Sequence, residues 1–111
     1  MSDDVHALRC AELATPVTEL MAAVLTAQGG AKAAFEEVER LAAQVRDIAA
    51  KGALGIDQAD YVSWAEGAPA VLGRMIEAAE QSDKRGVWEA FADPQFGLHR
   101  IGAACAGQPR W

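Results

Sequence analysis

The sequence predicts an all-α protein, a small antiparallel bundle of four to five helices. Three observations carry that expectation. Alanine supplies 25 of the 111 residues, and alanine combines the best helix propensity with a side chain small enough for close helix–helix approach. β-Branched and aromatic residues are too sparse and too scattered to pattern a sheet. Apolar residues recur at alternating steps of three and four, which is the narrow seam of a helix packed nearly parallel or antiparallel to its neighbours.

The first helix is expected over about residues 3–28, ending at Gly29-Gly30, a strong C-terminal signal. Its seam reads His6, Cys10, Leu13, Val17, Leu20, Val24. Pro16 removes one backbone hydrogen bond, and a helix restarting at Thr15 would rotate the earlier part of that stripe. The second helix, about 31–51, carries Ala31, Ala34, Val38, Leu41, Val45 and Ile48 on its seam. Two acid-before-base pairs at i,i+4, Glu36–Arg40 and Asp47–Lys51, lend it weak support. The segment GALGID forms a loop that tucks Leu54 and Ile56 beneath it, with Asp57 as N-cap of the next helix. That third region, about 58–81, repeats the seam as Tyr61, Trp64, Ala68, Val71, Met75 and Ala78, with a kink or break at Gly67 and Pro69. The last region, about 82–107, divides at Asp93-Pro94, an N-cap followed by proline at the first helical position. Its seam is Val87, Phe91, Leu98, Ile101, Cys105, and residues 107–111 form a tail. With no linker, duplication or fixed-period motif, the chain reads as one helical domain over 1–111.

Composition narrows the function classes. Sixteen acids against ten bases give a net charge of −6, with no clustered basic face, so direct nucleic-acid binding is not expected. The start, MSDD, is acidic where a secretion signal is basic and then apolar, and no uninterrupted apolar run reaches the roughly 18 residues of a membrane span. A cytoplasmic protein without membrane association is the expectation, and in that compartment Cys10 and Cys105 are by default reduced thiols. A Cys10–Cys105 bridge is the geometrically open alternative.

Two histidines and two cysteines raise the question of a metal site. His6 and Cys10 are four residues apart and lie on the apolar stripe, which explains both as core. His99 and Cys105 are six apart and point about 120° from one another on a straight helix, a poor bite for one ion. No metal and no cofactor is expected. Catalysis finds little support either. Gly29-Gly30-Ala31-Lys32 lacks the spacing of a phosphate loop, and Cys105 with His99 has no orienting acid. Glu36, Glu37, Glu39, Glu77 and Glu80 read as solvated helix faces.

Interaction surfaces are better supported. The C-terminal region concentrates Trp88, Phe91, Phe96, His99, Arg100, Arg110 and Trp111, and Trp and Arg dominate binding hot spots. Trp111, after a proline at the end of the chain, is the hardest of these to explain as core. The expected function is that of a small acidic non-enzymatic protein of adaptor, inhibitor or antagonist type, binding a partner protein with a basic surface. Because the large apolar residues are few, a homodimer burying an αα-hairpin face is a second partner expectation. The alternative is a small-molecule or cofactor-binding bundle with a pocket lined by Tyr61, Trp64 and Met75.

Overall fold

The computed structural model describes residues 2–111, and among them there is no strand. Three long helices run in sequence: α1 (Ser2–Ala27), α2 (Lys32–Ala49) and α3 (Ala59–Glu80). A short helix α4 (Lys84–Phe91), a 3-10 turn (Leu98–Arg100) and a single-turn helix α5 (Ile101–Ala104) complete the chain. α2 packs against both α1 and α3, α4 and α5 pack against α3, and α4 closes back onto α1. The result is an up-down-up-down bundle whose fourth position is filled by the broken α4–α5 segment.

The seams explain the packing. Along α1, His6, Cys10, Leu13, Val17, Leu20 and Val24 are all buried, so the stripe continues through Pro16 without rotating. Ala14, Ala23 and Ala27 widen it. In α2 the buried set is Ala34, Val38, Leu41 and Val45 with Phe35, Ala42 and Ala49 beside them, while Ala31 lies outside the helix and is exposed. In α3, Tyr61, Trp64, Ala68, Val71 and Met75 are buried together with Ala65, Leu72 and Ala79. Each helix therefore turns an apolar band about two residues wide inward, as a bundle enclosed on all sides requires. α1 is also long and apolar enough to cross a membrane by length and composition. Its stripe, however, faces the bundle interior.

The joints depart from the sequence reading in instructive ways. α3 is continuous through Gly67 and Pro69. Pro69 falls off the seam, and only the hydrogen bond its nitrogen would have donated is lost. The N-cap of α3 is Gln58, whose side chain accepts from the Tyr61 amide at 2.6 Å, not Asp57. Asp93 caps no helix. Its Oδ1 accepts from the amides of Gln95 and Phe96, tying a turn that delays the next helical residue to Leu98. Ile56 is buried but Leu54 is 92% exposed, so the loop covers one of the two. The i,i+4 pairs re-form elsewhere: Arg40 bonds Glu37 rather than Glu36, and Lys51 reaches across to Glu12 of α1 at 2.6 Å rather than to Asp47.

Candidate functional site

The C-terminal residues singled out by the sequence divide into two groups, one facing outward and one inward. α4 buries Val87 and Ala90, which turns Trp88 outward. Trp88 is 42% exposed and stacks on half-buried Phe91, ring centroids 5.1 Å apart. Phe91 in turn meets the exposed His99 ring at 6.4 Å. The turn held by Asp93 places His99 there, with its Nε2 2.9 Å from the Asp93 carbonyl oxygen. Arg100 is exposed beside His99 and forms no ion pair among the described residues. Trp88, Phe91 and His99 thus make a small aromatic ledge on the surface, with exposed Arg100 the residue after His99.

Asp93 anchors this ledge electrostatically. Its carboxyl is held below its ordinary value of 3.8 chiefly by the Phe96 amide, against an opposing effect of burial, with the Gln95 amide and the Arg74 guanidinium 2.9 Å away adding to the lowering. On the other flank of α4, a groove against α3 is lined by Glu77, Asp83 and Glu89 with Arg74. Arg85 pairs with Glu89, and Arg74 is itself paired with Asp93. Glu77 and Asp83 have no cationic partner within the described residues.

Phe96 and Trp111 turn inward, while Arg110 between the tail and α1 stays exposed. Phe96 packs so closely on Gly67 that a Cβ there would lie 2.3 Å from the ring. Trp111 packs against the core, and its indole Nε1 donates to the Cys10 carbonyl at 2.9 Å. Arg110 donates to the Thr15 hydroxyl at 2.8 Å. The tail expected over 107–111 is therefore laid back along α1, and Trp111 is explained as packing after all.

The two ends meet at a third feature. Cys10 and Cys105 are joined in a disulfide with Cα atoms 5.7 Å apart, a separation that suits the bond. This corrects the expectation of reduced thiols. Spacing along the chain could not show it, because the bridge depends on α1 and the last segment running side by side across 95 residues of sequence. His6, 6% exposed, stands beside the bridge, and one of its ring nitrogens and both sulfurs lie within 4.8 Å of one another. Its Nε2 is 2.7 Å from the Ala104 carbonyl oxygen. A carbonyl only accepts, so Nε2 carries the hydrogen and Nδ1 keeps its lone pair. Gln108 Nε2 approaches Nδ1 at 3.4 Å.

The cysteine that groups with His6 and Cys10 is thus Cys105, while His99 belongs to the surface ledge. A helical wheel relates residues of one helix, and this trio forms between two. The Tyr61 ring meets His6 edge-on at 5.6 Å and Trp64 follows at 5.8 Å. The Tyr61 hydroxyl and the Trp64 indole nitrogen are buried without a hydrogen-bond partner among the described residues. Burial raises the Tyr61 hydroxyl above its ordinary 10.0, against a smaller downward pull from the Arg9 guanidinium. Tyr61, Trp64 and Met75 are core side chains, 0–2% exposed, and the surface grooves lie elsewhere, the largest between α1 and α2 over Glu12, Pro16, Glu19 and Arg40. Comparison with protein-family models, curated proteins and solved structures finds no match to this chain.

Proposed function

We propose that this chain works without catalysis, by binding a partner protein through the α4 ledge and the acidic groove beside it. The observation that carries the reading is Trp88. It is a large aromatic on a helix that already buries Val87 and Ala90, and it stands 42% exposed on a stacked Phe91. A half-exposed Trp stacked on a second aromatic is the kind of anchor that binding hot spots use. Glu77, Asp83 and Glu89 in the neighbouring groove, with the net charge of −6, favour a partner whose complementary face is basic. A regulatory or inhibitory role suits a small acidic protein of this kind.

Capture of partners from a lysate of the native host by the immobilised chain tests the reading. Trp88→Ala is expected to lose the captured protein while keeping the melting temperature, and capture is expected to weaken as salt rises to about 0.5 M, where screening shortens to a few ångströms. Undiminished capture by Trp88→Ala would remove the ledge from the interface. Salt-indifferent capture would remove the basic partner. A captured protein of the chain's own mass would identify the partner as a second copy. The alternative, a ligand pocket around Tyr61, Trp64 and Met75, has less support because those side chains fill the core.

A further inference from the structure

We propose that His6, Cys10 and Cys105 form a buried zinc site whenever the disulfide is reduced, so that this end of the bundle alternates between a disulfide and a metal centre. Three observations on different elements converge on it. The two sulfurs and a His6 ring nitrogen already lie within 4.8 Å of one another. In tetrahedral zinc, with Zn–S near 2.3 Å and Zn–N near 2.0 Å, ligand atoms stand about 3.3–3.8 Å apart. Reaching that spacing requires breaking the S–S bond and turning the cysteine side chains apart. The His6 ring is also prepared for a metal. Its Nε2–H is committed to the Ala104 carbonyl, the outer hydrogen bond that fixes tautomer and ring orientation in histidine–metal sites, and Nδ1 is the nitrogen left to coordinate once the Gln108 amide, 3.4 Å away, turns aside. Finally, the site is enclosed. Both cysteines are fully buried, and the tail closes over α1 through Gln108, Arg110 and Trp111.

The chemistry balances in two steps. A dithiol reductant transfers two electrons and two protons to the Cys10–Cys105 bond, giving two thiols and its own disulfide. Zn²⁺ then displaces the two thiol protons and is held by two thiolates and neutral His6. This donor set, two thiolates and one imidazole, is one that zinc proteins use with a fourth position open. A disulfide oxidant takes two electrons from the two thiolates, re-forming the Cys10–Cys105 bridge and releasing the ion, and with two protons from solvent is itself reduced to a dithiol. Soft thiolates favour zinc over magnesium or calcium, and the release of two protons makes binding weaken steeply as pH falls.

The test uses the full chain, reduced with dithiothreitol, freed of the reductant under argon, and titrated with Co²⁺ and then Zn²⁺. Native mass spectrometry is expected to show one metal per reduced chain and none on the disulfide form. Co²⁺ is expected to give sulfur-to-cobalt charge-transfer absorption that equimolar Zn²⁺ abolishes. His6→Ala keeps both thiols and is expected to weaken Zn²⁺ binding by at least about 100-fold, the upper end of what losing an outer-shell partner does. Far-UV circular dichroism of the reduced, zinc-loaded chain is expected to match that of the disulfide form. No metal uptake by the reduced chain, equal affinity in His6→Ala, or a reduced chain that stays unfolded with Zn²⁺ present would each overturn the proposal.

Discussion

A methyl group added at Gly67 of α3 would sit 2.3 Å from the Phe96 ring, and the ring is already wedged between α3 and the turn after α4. Gly73, six residues on, has no atom within 4 Å of the same added group. The two glycines separate two physical effects that sequence alone confounds. At Gly73 only helix propensity counts, so Gly73→Ala is expected to stabilise the protein by about 0.5–1 kcal/mol. At Gly67 the same gain is outweighed by overpacking of about 1–3 kcal/mol, so Gly67→Ala is expected to destabilise. Urea denaturation of both variants checks the pair, and equal shifts of the same sign would show that Phe96 does not rest on Gly67. At the same scale, Asp93 predicts a pH dependence. Its folded value lies below the ordinary 3.8, so its contribution is fully present above that value and is lost as pH falls below it through the folded value. Asp93→Asn is accordingly expected to flatten the decline of stability below about pH 4, read from melting temperatures along a pH series.

Among the elements, the α3–α4 joint carries a specific strain. The Asp83 amide donates to the Ala78 carbonyl at 2.8 Å and the Ser82 amide to the Ala79 carbonyl at 3.0 Å. Together these are the two bonds of a Schellman motif, with Ser82 in the left-handed position at φ 54°. Glycine takes that conformation freely, whereas serine pays about 1 kcal/mol for it. Ser82→Gly is expected to raise stability by about that amount in chemical denaturation; a loss would mean that the serine side chain contributes a contact of its own. Asp83 then caps α4 by accepting from the Gly86 amide at 3.0 Å, so one residue closes a helix and opens the next. The seams of all three long helices were legible in the sequence, because burial of a helical stripe imposes its period locally. Gln58 as cap and Asp93 as turn anchor were not. Choosing between Asp57 and Gln58 depends on where the chain arrives after the loop, and Asp93-Pro94 carries the same signature whether a helix or a turn follows.

For the whole molecule, the decisive contacts lie between the two ends of the chain. Trp111 is the aromatic hardest to explain as core from the sequence, yet it packs on the core and bonds the Cys10 carbonyl. Trp111→Ala is therefore expected to cost about 1–3 kcal/mol and to speed reduction of the Cys10–Cys105 bridge by a dithiol. Unchanged stability together with unchanged reduction kinetics would return Trp111 to the surface group. By itself the sequence determined that the protein is an all-helical bundle of four to five helices, roughly where the long ones stop, and which side of each long helix is buried. Those properties follow from propensity and from a period of three to four residues, both written within a single turn or two. Only the tertiary structure decided that Cys10 finds Cys105, that His6 joins them, that His99 instead continues the Trp88–Phe91 stack, and that Leu54 stays outside. Each of these depends on the lateral placement of segments up to 95 residues apart, which side-chain packing sets and which no local pattern encodes.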